Sequence, residues 1–201
     1  KAFVAAKAAF KAEAPTITKN KHVGFASKRG GADTGMGAIY RWYRGELRKL
    51  FDGLTIPNSI CFAPDGKTAY FSDTVTQRIN RVALDADGWP AGEPDVFVDL
   101  APEGLFPDGA TVDAAGNLWN AQWGAGRVAC YSPEGRFLRA ETCNAPQTSC
   151  PVFGGPDLTT LFVTTAREGM DSESLALASL SGQTFGLPDV AVGIPEPRVN
   201  L

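Results

Sequence analysis

Short apolar runs alternate with turn-forming residues along most of the chain. Runs with strand character lie at residues 38–43, 59–62, 68–72, 78–83, 95–98, 110–112, 117–122, 127–131 and 160–164. They are rich in Val, Ile, Phe, Tyr and Trp and are bounded by Gly, Pro, Asp or Asn, the pattern of brief strands closed by turns. Residues 1–14 and 171–180 alone read as helix candidates. The 22 glycines and 14 prolines recur often enough to keep every element short. The pattern predicts an all-β chain.

The hairpins repeat. Residues 59–71 read strand, Asp65-Gly66 turn, strand. Residues 110–119 repeat the design with Asp113 and Gly116 at the turn, and residues 151–163 repeat it again with Pro156-Asp157 in the loop. Turn glycines supply the positive φ that a tight hairpin needs. Gly66 and Gly116 are 50 positions apart, and Asp113 and Asp157 are 44 apart. A period of about 40–50 residues with four short strands per unit is the signature of propeller blades. About three full units can be traced this way, preceded by a partial one over residues 21–54. A closed propeller usually has at least four blades, so the chain is short for a ring.

Composition adds exclusions. The 201 residues carry 44% hydrophobic and 20% charged side chains, enough to bury a core without metal or disulfide staples. Nineteen basic against 22 acidic side chains give a net charge of −3, which argues against a nucleic-acid partner. Lys28-Arg29 and the basic residues of 41–49 read as solvated strand faces. No apolar run approaches the ~20 residues of a membrane span. Residues 1–14 lack the compact apolar segment and cleavage site of a signal peptide. The expectation is a soluble, cytoplasmic protein with neither membrane nor nucleic-acid partner. Cys61, Cys130, Cys143 and Cys150 form no C-x-x-C pair, and His22 is the only histidine, so a Cys/His zinc site and histidine catalysis are both disfavoured.

Two short motifs stand at matching places, just before the first strand of successive units: Pro57-Asn58-Ser59 and Pro107-Asp108-Gly109. The first strand of a blade lines the central channel, so residues at its start gather at one mouth. An amide oxygen and a carboxylate there suit a hard divalent cation such as calcium or magnesium. Pro-Asn and Pro-Asp-Gly are also ordinary turn formers, and spacing alone leaves both readings open.

Residues 57–74 (PNSICFAPDGKTAYFSDT), 106–119 (FPDGATVDAAGNLW), 124–128 (GAGRV), 148–155 (TSCPVFGG), 164–170 (TTAREGM) and 193–199 (GIPEPRV) resemble the gluconolactonase/regucalcin (senescence marker protein) family, in its bacterial sugar-lactonase form. The resemblance runs from about Gly30 to the C-terminus, with several motifs in fixed order. It implies a six-bladed β-propeller that hydrolyses aldono-lactones with one divalent metal on its axis, calcium or zinc first, manganese or magnesium next. By motif, Asn58 and Asp108 fall on metal-ligand positions, with Asp108 also the base that takes a proton from water. Asp33 is the nearest match to an acidic position that contacts substrate. The implied partner is a small sugar lactone.

The departures from the family carry weight too. Its first-blade Glu ligand and an Arg/Asn pair for sugar hydroxyls have no counterpart upstream of Gly30, and Glu13 is not assigned the ligand role. Six blades need about 240–300 residues. The reading is therefore an atypical segment over residues 1–20 and an incomplete propeller over residues 21–201, with about four blades represented. Asn120, just after Trp119, replaces the apolar residue usual there. Three functions stay open: a metal-dependent lactonase, a non-catalytic calcium-binding propeller fragment, and a hydrolase of the same fold acting on other esters.

Overall fold

The computed structural model describes residues 34–196. Helix candidate 1–14, His22, Lys28-Arg29 and Asp33 lie outside them. The described residues fall into two compact units, one ending at Pro57 and one spanning Asn58–Pro195.

The first unit holds one hairpin, β1 (Gly37–Tyr43) with β2 (Glu46–Leu54). Its two-residue loop, Arg44-Gly45, has positive φ at both positions (50° and 82°), the twist that suits a tight hairpin.

The second unit contains three sheets in which the strands run in chain order. The first is β3 (Pro57–Phe62), β4 (Thr68–Asp73), β5 (Arg78–Ala83) and β6 (Asp95–Asp99). The second is β7 (Phe106–Val112), β8 (Leu118–Trp123), β9 (Arg127–Tyr131) and β10 (Phe137–Thr142). The third is β11 (Thr148–Gly154), β12 (Thr160–Thr165) and β13 (Thr184–Leu187). The repeat read from the turns is thus a real repeat of up-and-down sheets, with four strands in two of them. The structure adds β10 and β13, whose sequences lack the run of β-branched residues that marks a strand. The helix expected at 171–180 is shorter, α1 (Ser172–Leu177), with the Asp171 carboxylate accepting from the Ser174 N–H at 2.8 Å as its N-cap.

Strands β8 and β9 of the middle sheet are buried on both faces, and their side chains divide by the period of two. Val112, Leu118, Ala129 and Tyr131 pack with Tyr70, Ile79, Phe97 and Leu100 towards the first sheet. Trp119, Ala121, Val128 and Cys130 pack with Cys143, Phe153, Leu161 and Val163 towards the third. Trp119 meets Phe153 edge-on, with ring centroids 5.9 Å apart, so its role is packing. β8 is consequently a nearly continuous buried run, and Asn120 and Gln122 are fully buried within it. Among the described residues no helix is long and apolar enough to cross a membrane.

Asp113 ties the β7–β8 turn together. Its carboxylate accepts from the backbone N–H groups of Ala115 (3.0 Å) and Asn117 (2.9 Å), from the Asn117 side-chain amide (2.9 Å), and from the Trp119 indole N–H (2.9 Å). Removing it strands a buried indole donor, so Asp113→Ala should lower unfolding stability by about 2–4 kcal/mol, measured by urea denaturation.

Cys150 is exposed and Cys130 buried. Burial penalises the thiolate and raises the Cys130 thiol from 9.0 to about 12. Below about pH 9 the thiol is protonated whether the chain is folded or not. As pH climbs from there towards 12 the unfolded chain alone gives up the proton, so stability should fall across that window. In the native protein at pH 8, a thiol reagent should modify Cys150 rapidly and reach Cys130 only on unfolding, as peptide mapping of the labelled protein would show.

Candidate functional site

The starts of β3 and β7 have unusual backbones. Ser59 has φ of 60°, a left-handed conformation that costs a non-glycine residue about 1–2 kcal/mol. In β7 the pairing with β8 slips between Pro107↔Gln122 and Ala110↔Asn120, so Asp108 and Gly109 together oppose one residue. This is a β-bulge, a device that re-aims a side chain at a strand end. Gly109 is required there: a Cβ on it would sit 2.7 Å from the Ser149 carbonyl oxygen and 3.0 Å from the Cys150 sulfur of β11. The two prolines fit for the same reason, since each precedes an irregularity where ladder donors are dispensable.

Two relays of hydrogen bonds join the strand starts. In one, the Asn58 Nδ2 donates to Thr74 Oγ1 at 2.9 Å, and Thr74 Oγ1 donates to the Pro107 carbonyl at 2.6 Å. Thr74 is placed by the 3-10 turn after β4 (Thr74–Thr76), which the buried Asp73 caps by accepting from the Val75 N–H at 3.4 Å. In the other, the Ser59 hydroxyl donates to the Asp108 carbonyl. The same hydroxyl accepts from Ser72 Oγ at 3.0 Å and from Asn120 Nδ2 at 3.1 Å. Asn120 Nδ2 also lies 3.2 Å from the Gly109 carbonyl and 3.4 Å from the Asp108 carbonyl. Ser59, Ser72 and Asn120 are buried, whereas Asn58 and Asp108 are half-buried.

The structure therefore brings Asn58 and Asp108 to neighbouring strand starts and fixes both backbones. The bond from Asn58 Nδ2 to Thr74 orients its amide, leaving the oxygen as the end available to a cation. An amide oxygen and a carboxylate are donors of the hard type that calcium, magnesium or manganese takes. Among the described residues no group of three or more His, Cys, Asp or Glu is placed to hold a metal ion. These two side chains fit part of an oxygen shell, and the other donors have to come from elsewhere. Asp33 lies outside the described residues. The Arg167-Glu168 segment is structural: Arg167 Nε donates to the Ser181 carbonyl at 2.6 Å, and the Glu168 carbonyl accepts from Gln147 Nε2 at 2.8 Å.

Sequence reasoning named the two outer residues and missed the inner ones, Ser59, Ser72 and Thr74. Polar residues in a short strand carry no label of burial. Asn120 did leave a trace, as an amide inside a run that is otherwise fit for a core.

Comparisons with known proteins bear on this geometry. Residues 18–167 match the SMP-30/gluconolactonase/LRE-like region family. A protein of Rhizobium meliloti (strain 1021), provisionally named a sugar lactone lactonase, is 42% identical over 171 residues, 85% of this chain and 58% of its own length. The pentonolactonase XacC of Haloferax volcanii is 33% identical over 177 residues, 85% of this chain and 60% of its own length. A crystal structure of regucalcin from Agrobacterium tumefaciens str. C58, described as a calcium-binding protein, superposes with a TM-score of 0.82 at 43% identity, covering 84% of this chain and 58% of that one. The chain thus spans under two thirds of the length of these relatives.

Proposed function

The chain belongs to the SMP-30/gluconolactonase/LRE-like family, and from that premise we propose that it is part of a metal-dependent hydrolase of sugar lactones. The observation that carries the reading is the pair of relays that ties Asn58 to the start of β7 and Asp108 to the start of β3. The named activities of its relatives, a pentonolactonase and a provisional sugar lactone lactonase, supply the substrate class. The calcium-binding description of the Agrobacterium protein supports a divalent cation. In this reading residues 21–201 are a portion of a six-bladed propeller, with about four blades represented. The absence of any C-x-x-C pair in the sequence suits a reducing compartment, and the proposed location is the cytoplasm.

Asn58 and Asp108 are the residues that would hold the cation. Once bound, a cation of this kind polarises the lactone carbonyl and makes a bound water more acidic. The Asp108 carboxylate takes a proton from the water that adds to the carbonyl carbon, then returns it to the ring oxygen as the C–O bond breaks. The product is the open hydroxy acid. Asn58 contributes an oxygen without charge, and its bond to Thr74 keeps that oxygen in one orientation. Asp33 is assigned to substrate binding. A non-catalytic, calcium-binding role is the second reading, and it is favoured by the presence of only two candidate ligands among the described residues.

Proton release from five- and six-carbon aldono-lactones, with spontaneous hydrolysis subtracted, decides between them. With calcium, zinc, manganese or magnesium added, turnover should appear; a folded, cation-binding sample without turnover would support the non-catalytic reading. Asp108→Ala should abolish metal-stimulated hydrolysis, a loss of at least about 100-fold for a group acting as both ligand and base. Asp113→Ala, although less stable, should keep its kcat/KM per folded molecule. Equal losses in both would count against the assignment.

A further inference from the structure

Two buried residues beside the proposed site each carry a local cost. Ser59 holds φ of 60°, where glycine would sit without strain. Asn120 is fully buried and, among the described residues, its Oδ1 has no hydrogen-bond partner, a cost that a valine would avoid. The amide is oriented unambiguously. Turning it over would set its oxygen against the Asp108 and Gly109 carbonyls, which Nδ2 now faces at 3.4 and 3.2 Å.

Both costs meet at one atom, the Asp108 carbonyl oxygen. The Ser59 hydroxyl donates to it, and Asn120 Nδ2 approaches both it and the Ser59 hydroxyl. Ser59 is then saturated, donating once and accepting from Ser72 and Asn120. Ser59 is also the residue next to Asn58. The hydroxyl and the amide therefore connect the backbone carrying one proposed ligand to the bulge carrying the other. Strain and unpaired polar atoms that persist at a site point to a function that needs them.

We propose that Ser59 and Asn120 form a positioning clamp that sets the separation and aim of Asn58 and Asp108 for a divalent cation. They touch the backbone of the ligands and not the cation, so they are positioning residues. The inference rests on the cation-site reading above and deepens it.

Calorimetric titration of the protein with Ca²⁺, repeated with Mn²⁺, tests the clamp in Ser59→Gly, Asn120→Val and the double variant, alongside thermal unfolding. Each single change should weaken cation binding about 10-fold or more, the range found when outer partners of metal ligands are removed. Because the two residues act through one network, the double variant should bind within about threefold of the weaker single variant. In Ser59→Gly the relief of the left-handed backbone offsets the hydrogen bonds lost with the hydroxyl, so its Tm should stay within about 5 °C of the wild type and the affinity loss is read in a folded protein even if Asn120→Val folds poorly. Affinities within twofold of the wild type in the folded variants would overturn the clamp. If Asp108→Ala abolishes binding while the clamp variants bind normally, the clamp alone fails. If the wild-type protein binds neither ion, the cation-site reading and the clamp fall together.

Discussion

A buried carbonyl at the start of a strand must find a donor, and here that requirement organises the site. Irregular backbone at Asp108-Gly109 removes ladder partners from β7 where β11 crowds against it. Side chains supply what the ladder does not: Thr74 donates to the Pro107 carbonyl, Ser59 donates to the Asp108 carbonyl, and Asn120 reaches the Asp108 and Gly109 carbonyls. Each unsatisfied group would otherwise cost about 1–3 kcal/mol. The polar network is thus the structural solution to two strand starts meeting, and the half-buried Asn58 and Asp108 are what it presents outward.

The network works because the middle sheet is packed from both sides. Leu118 and Trp119 are consecutive in β8 and enter different cores, one shared with the first sheet and the other with the third. The period of two that separates them also sends Asn120 to the side of Leu118, towards Ser59. A one-residue slip of β8 would exchange these faces. The Asp113 carboxylate resists that slip, because it holds the turn backbone and the Trp119 indole together.

Much of this was legible in the sequence for physical reasons. The hairpins of 59–71 and 110–119 announce themselves because Gly66 and Gly116 are needed at positive φ (68° and 87°) between β-branched or aromatic runs. β10, with Phe137 and Leu138 exposed on an outer strand, has neither alternation nor a run of β-branched residues to mark it, and β13 is only four residues long. Asn58 and Asp108 could be named because proline and a repeated place in the unit set them apart. Their supports could not, since Ser59 and Thr74 become partners of β7 only through contacts 49 and 33 residues distant. Local pattern does not encode such pairings. Asn120 is the exception: polarity inside a buried run is itself a signal, because a core position is seldom given to an amide without a partner to serve.

The central claim is that the starts of β3 and β7 together present oxygen ligands to one divalent cation. Anomalous diffraction from crystals soaked in Mn²⁺ addresses it most directly. The account predicts a single strong peak at bonding distance from Asn58 Oδ1 and an Asp108 carboxylate oxygen, with the Ser59–Asn120–Asp108 hydrogen bonds intact beneath it. A peak bound elsewhere, or no peak at these two residues at saturating Mn²⁺, would contradict it.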